Sequence, residues 1–252
     1  MISSLKDLRL VEPGCLLLHE AHDEARLARL KGRILAEDEQ RNPVVASSYG
    51  DRFLVLDGAH RVRAMDEIGA RFVLVQVVEP PERAEGWGHL VGGMGPLYPD
   101  DANGLVVGGE SGEAVAEIET SGGETVSVRS REAGSLARSR AMWALQARYP
   151  GEAAVRRVEP DGAVRLSGGE VLIRYRPFAP EDLVEIVGSG AVLPAGVTRF
   201  RVRERVLGVR YPLSKMMDGE PRHRNVELRR FVSKRWAENR VRYYREPVVL
   251  FE

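Results

Sequence analysis

The segment FLVLDGAHRVRAMDEIG, residues 53–69, constrains this chain more than any other. Its apolar run from Phe53 to Leu56 predicts a strand, Asp57-Gly58 a tight turn, and Ala59-His60-Arg61 the opening of a helix. A strand that feeds straight into a helix leaves the first helical N–H groups unpaired beside the positive end of the dipole. Such a turn is an anion site. His60, Arg61 and Arg63 add donors at or near it, and Asp57 stands where a carboxylate orients a metal or a hydroxyl. The same residues also fit a plainer arrangement, with Asp57 as a helix N-cap and both arginines solvated.

The flanking sequence supplies an α+β frame for that turn. Leu8 to Val11 predicts a first strand, stopped by Glu12-Pro13-Gly14. Leu16, Leu17 and Leu18 form an apolar run that ends in the polar cluster His19-Glu20-Ala21-His22. From Asp23 to Ala36, Leu27, Leu30, Ile34 and Leu35 recur near helical spacing among charged residues, the pattern of an amphipathic helix. Pro43 to Ser47 predicts the next strand, joined through Tyr49-Gly50-Asp51 to the central one. Phe72 to Val78 is a nearly continuous apolar strand, as a buried one should be. Residues 1–80 thus make one unit.

Residues 81–104 are rich in Gly and Pro and read as a loop or lid carrying Trp87 and His89. No G-x-x-x-x-G-K-[ST] loop occurs, so any nucleotide chemistry uses another device. Residues 105–252 read as a second, strand-rich α+β unit. EAVAEIE and ETVSVRS predict antiparallel strands, and Glu132 to Tyr149 a helix that buries Leu136, Met142, Trp143 and Leu145. AAVRRVEP, GAVRLSG and EVLIRYRPF predict three more strands, and Pro180 to Gly188 a short helix. RFRVRERVLGVR, residues 199–210, alternates basic with apolar residues. That is the pattern of a half-buried strand whose positive face is either solvated or an anion-binding wall. The following basic helix would bury Val226, Phe231, Val232 and Trp236.

Composition removes several classes of function. Lys and Arg together number 37, as do Asp and Glu, so no global field draws the chain to nucleic acid or a membrane surface. One cysteine, Cys15, excludes an intramolecular disulfide and a Cys-rich zinc cluster. No stretch approaches the ~18 apolar residues of a membrane span, and the first ten residues hold no signal-like apolar run. A cytoplasmic protein is expected.

The succession EQRNPVVAS, FLVLDGAHRVRAMDEIG and FVLVQVV resembles the ParB/sulfiredoxin superfamily, in which a G-x-H-R turn opens a helix and binds nucleotide phosphate. Sulfiredoxins carry a catalytic cysteine before the His-Arg pair, where this chain has Ala59. Chromosome-partitioning ParB proteins continue into a helix-turn-helix, where this chain turns to glycines and strands. The chain is most similar to the free serine kinases. It shares with them His19-Glu20, the Asp57 to Arg61 turn, the segment Pro194-Ala195-Gly196-Val197-Thr198-Arg199, and the tail VRYYREPVVLFE.

That resemblance implies a kinase that phosphorylates free L-serine, or a similar small hydroxy amino acid, to O-phospho-L-serine. It implies ATP or ADP as donor, with Mg²⁺ held at Asp57. Gly58, Ala59, His60 and Arg61 would bind the nucleotide, and Glu20, Asp57 and His60 would be catalytic, Glu20 as general base. Thr198 and Arg199 would hold the amino acid's carboxylate or the product's phosphate, with Trp87 lining the pocket. Phe200 stands where the family pattern has His, which removes one polar contact. A ParB-type nucleotide-gated DNA-binding protein and a non-catalytic nucleotide sensor are the alternatives. The expected partners are the amino acid and an adenine nucleotide, with no specific nucleic acid and no membrane.

Overall fold

The computed structural model describes residues 3–94, 104–108, 111–151, 155–246 and 248. The first part runs α1 (Ser3–Lys6), β1 (Leu8–Val11), a 3-10 turn (Pro13–Cys15), β2 (Leu16–Leu17), α2 (Glu24–Glu37) and β3 (Glu39–Gln40). It continues through β4 (Val44–Tyr49), β5 (Arg52–Asp57), α3 (Ala59–Glu67) and β6 (Val73–Val78). Five of these strands form one mixed sheet in the order β1-β6-β4-β5-β2. β2 runs parallel to β5 and β4 parallel to β6, while the β4–β5 hairpin closes at Gly50. Val73, Leu74 and Val75 of β6 are fully buried, as their unbroken apolar run requires.

Helix α2 begins where Asp23 accepts the Arg26 N–H at 2.6 Å, a side-chain N-cap. It buries Leu27 and Ile34 but leaves Leu35 52 % exposed, because Leu35 lies one residue, about 100°, round the helix from Ile34. The strand, turn and helix expected over residues 53–69 are all present, with Gly58 at the N-cap of α3 and a φ of 103°.

The second part holds β7 (Glu85–Gly86), β8 (Gly88–Gly92), β9 (Leu105–Val107), β10 (Glu113–Thr120), β11 (Thr125–Ser130), α4 (Ser135–Gln146), β12 (Arg156–Val158), β13 (Glu170–Tyr175), α5 (Pro180–Gly188) and β14 (Thr198–Arg199). Six of these strands make an antiparallel sheet, β12-β8-β13-β10-β11-β9, and β7 pairs separately with β14. The expected lid is therefore corrected over Glu85–Gly86 and Gly88–Gly92, which are strands. Its glycines answer to packing: a Cβ on Gly86 would stand 2.0 Å from the Tyr175 carbonyl oxygen, so only glycine lets the backbones approach. Residues 95–103 of the expected lid lie outside the described residues.

Three further expectations change. Residues 163–167, within the predicted strand GAVRLSG, form no strand. Trp143 is not core: it is 44 % exposed and its indole N–H donates to the Val192 carbonyl at 2.8 Å, an amphipathic ring at the surface. Residues 200–210 also join no ladder. Side chains satisfy part of their backbone instead, the buried Gln76 amide taking the Val206 N–H (2.9 Å) and giving to the Glu204 carbonyl (3.0 Å).

The chain then returns to the first sheet. β15 (Tyr211–Pro212) pairs with β3, and α6 (Pro221–Ala237) packs on β1. Asn225 of α6 accepts the Leu10 N–H at 2.9 Å and donates to the Leu10 carbonyl at 3.0 Å, completing the edge strand. Tyr211, Leu213, Met216, Leu228 and Val232 join the core of the first unit, so the late chain does not belong wholly to the second. On α6 the fully buried residue is Leu228, with Val232 beside it, whereas Trp236 is 36 % exposed. Among the described residues no helix is long and apolar enough to cross a membrane.

Candidate active site

A cavity of about 810 Å³ opens between the two parts of the chain. Glu20, Asp57, Gly58, Ala59, His60, Arg61, Trp87, Thr198 and Arg199 all line it. These nine expected residues are thus gathered at one place, whereas Arg63, also expected near the turn, lines a different cavity with Arg52 and Asp66.

The N-termini of α2 and α3 meet there. Val62 is the first residue of α3 to find an intrahelical acceptor, its N–H bonding the Gly58 carbonyl at 3.1 Å. The N–H groups of Ala59, His60 and Arg61 have no acceptor of that kind. The Asp23 N–H at the start of α2 donates to His60 Nε2 at 3.1 Å, which leaves Nδ1 as the imidazole's proton-bearing nitrogen. Burial lowers the His60 pKa, and the nearby charges of Arg26, His22 and Arg157 lower it further. Neutral His60 therefore offers one donor, at Nδ1.

Asp57 accepts hydrogen bonds at Oδ2 from Arg61 (3.2 Å) and from Arg205 (2.8 Å). Burial pushes its carboxyl up, but the two guanidiniums outweigh that and hold it below the usual carboxylate range. Its side chain is still 47 % exposed to the cavity. Arg61 folds back over the turn, so that a Cβ on Gly58 would stand 2.7 Å from Nη2. Its Nε is buried without an acceptor.

The opposite wall is built on Glu20. Residues 19–21 pair with Leu193 through Leu193 N to His19 O (2.7 Å) and Ala21 N to Leu193 O (2.8 Å). This pairing brings the loop 194–199 onto the carboxylate. Gly196 N–H donates to Oε2 at 2.8 Å, while Thr198 donates to Oε1 from its N–H (2.6 Å) and from its hydroxyl (2.5 Å). The hydroxyl also accepts from His19 Nε2 at 2.8 Å. His19 is itself buried, which lowers its pKa, and it meets Phe200 edge-on at 5.6 Å. Arg199 stacks over Trp87 (4.8 Å from the ring centroid) and pairs with Glu159.

Eight arginines line the cavity against two carboxylates, Glu20 and Asp57. Arg199, Arg201 and Arg205 of the alternating segment 199–210 line the cavity, although no strand runs beyond Arg199. Sequence reasoning gave His19 no role of its own and passed over Arg157 and the α2 arginines Arg26, Arg29 and Arg33. His19 had a signal in the abrupt change from Leu16-Leu17-Leu18 to a polar cluster. The arginines of α2 recur at i, i+3 and i+7, which puts them on one face.

No protein-family model matches the chain. It is 27 % identical over 248 residues, 97 % of either chain, to the ATP-dependent L-serine kinase SbnI of Staphylococcus aureus. Its structure is similar to that of C-terminally truncated SbnI, with a TM-score of 0.77 and 23 % identity, covering 94 % of this chain and 100 % of that one. It is similar also to a free serine kinase in complex with AMP, with a TM-score of 0.61 and 16 % identity, covering 83 % of this chain and 93 % of that one. The two-part α+β architecture described above is therefore the fold of the free serine kinases.

Proposed function

We propose that this chain is an ATP-dependent kinase that converts free L-serine to O-phospho-L-serine. The observation that carries this reading is the single cavity that sets the α3 phosphate turn against the Glu20–Thr198 cluster. The near full-length likeness to a serine kinase described as ATP-dependent favours ATP over ADP as donor. The superfamily reading, a ParB/sulfiredoxin-like nucleotide domain, agrees with the turn at Asp57 to Arg61.

Phosphoryl transfer spreads negative charge over the migrating group and needs an attacking oxygen in line, so it depends on positioning and charge stabilisation. The free N–H groups of Ala59, His60 and Arg61 and the Arg61 guanidinium bind the donor's phosphates. Glu20 takes the proton of the serine hydroxyl. Its Oε2 accepts one hydrogen bond and so keeps a lone pair for that proton, while three donors fix its direction. Arg199 recognises an anionic group of the amino acid or product, sharing its fork with Glu159.

Mg²⁺ fits this site only as a companion of the nucleotide. Among the described residues no three His, Cys, Asp or Glu side chains converge to hold a metal. Asp57 offers one carboxylate whose Oδ2 is taken by arginines, leaving Oδ1, and Mg²⁺ is commonly held by one or two carboxylates plus phosphates and water. When bound, Mg²⁺ neutralises phosphate charge.

The test is incubation of the protein with ATP or ADP, Mg²⁺ and a panel of free amino acids, with product read by mass spectrometry. Phosphoserine formed from ATP is the expected product. Nucleotide binding without any phosphorylated amino acid would replace the kinase by a nucleotide sensor.

A further inference from the structure

Arg157 shares with Arg26, Arg29 and Arg33 the lack of a carboxylate partner among the described residues, and of these four it is the one supplied by the second sheet. Arg61 and Arg205 are held by Asp57, and Arg199 by Glu159. Among the described residues no carboxylate pairs with Arg157. It lies on β12, the edge strand of the second sheet, opposite His89 of β8. Arg157 is exposed, so its charge is solvated, and with no carboxylate partner its donors are free for an anion.

Its place is set by Gly196. That residue has a φ of +76°, and a Cβ on it would fall 2.0 Å from Arg157 Nη2, so the guanidinium lies against the Gly196 peptide. The same residue gives its N–H to Glu20 Oε2 and takes a hydrogen bond at its carbonyl from His89 Nε2, each at 2.8 Å. Arg157 is also among the charges that lower the pKa of His60 on the phosphate turn. The guanidinium therefore lies beside the residue that holds the base, in a cavity that the donor's binding turn also lines.

We propose, resting on the kinase reading, that Arg157 is a catalytic residue which binds the γ-phosphoryl group as it passes from the donor to serine. In that step the serine oxygen bonds to the γ-phosphorus as the bond from phosphorus to the β,γ-bridging oxygen breaks. The hydroxyl proton goes to Glu20, and the nucleoside diphosphate leaves with the bond's electron pair. Arg157 supplies the donors of its fork to the oxygens that gain charge between those events. The second sheet would thereby contribute to chemistry and not only to acceptor binding.

The test compares wild type with Arg157→Gln and Arg157→Lys, using thermal melting to confirm folding. Arg157→Gln is expected to lower kcat by about 10²- to 10³-fold with the serine KM within a few-fold. Arg157→Lys should recover part of the loss, since it keeps the charge but not the fork. Calorimetry without serine is expected to show weaker ATP binding in Arg157→Gln and unchanged ADP binding. That readout holds whatever the acceptor proves to be, so a wild type that forms no phosphoserine would overturn the kinase reading and still leave the γ-phosphate contact decided. A rise in serine KM at unchanged kcat would place Arg157 on the acceptor and overturn the proposal. Equal loss of ATP and ADP affinity, or a folded variant with wild-type kinetics and ATP affinity, would overturn it too.

Discussion

Thr198 donates to Glu20 from both its backbone N–H and its hydroxyl, at 2.6 and 2.5 Å, across 178 residues of sequence. Glu20 is therefore a part of the structure as well as a candidate base. Glu20→Gln removes the proton acceptor, and it also turns an amide donor toward one of three donors that expect an acceptor. Turnover should fall by about 10²- to 10⁴-fold. Stability should fall as well, by about 1–3 kcal/mol for the donor left unpaired. A folded Glu20→Gln protein with turnover near wild type would remove Glu20 from catalysis.

Three histidines of this region, His19, His60 and His89, have pKa values lowered from 6.5, in each case first by burial. Below about pH 6.5 the unfolded chain takes up protons that the native state resists, so the native state loses stability as pH falls toward the lowered values. Above that pH the contribution is complete. Melting temperature should therefore drop between pH 7.5 and 5.5. His89→Asn, which cannot titrate, should melt lower at pH 7.5 but show a shallower pH slope. An unchanged slope would exclude His89 from the effect.

Gly196→Ala puts a side chain where the backbone has a positive φ and where Arg157 lies. The left-handed conformation alone costs about 1–2 kcal/mol for a non-glycine residue. Turnover should suffer beyond that cost, because the Arg157 guanidinium lies against Gly196, whose own N–H donates to Glu20. Melting and steady-state kinetics on the one variant measure both. Loss of stability with full activity would show that the loop tolerates the shift.

Asp57→Asn keeps an acceptor for one arginine but removes the negative charge from the phosphate turn. The apparent affinity for ATP with Mg²⁺ is expected to fall by at least about tenfold, a difference of ~1.4 kcal/mol. Binding of AMP without metal should change by no more than a few-fold. Titration of activity against Mg²⁺ reads the difference, and an unaltered Mg²⁺ dependence would move the metal away from Asp57.

The phosphate turn was legible because its signals are contiguous: strand, turn and helix follow one another with no tertiary partner needed to define them. The opposite wall was only partly so. Arg199, Arg201 and Arg205 follow an alternation that picks one side of an extended chain, yet no pattern reveals that the strand ends at Arg199 and that Gln76 bonds the backbone of Glu204 and Val206 beyond it. Arg157 left no signal at all, since an arginine at a sheet edge reads the same whether it meets solvent or a substrate. Gly86 and Gly88 misled in the other direction. Glycine marks a loop and a close approach of backbones alike, and only the packed structure separates the two.

The bond pair between Leu10 and Asn225 spans 215 residues, and it bears on how the protein is made. On the ribosome β1 emerges long before the helix that covers it. Until α6 arrives, the first sheet lacks the helix that partners its β1 edge and the apolar cover of Leu228 and Val232. Contacts of such separation slow folding, and an uncovered strand edge invites pairing with other chains in the interval. Nascent chains stalled before residue 221 should therefore depend on chaperones, and the phosphate turn, though complete by residue 67, should bind nucleotide only once the chain has been finished.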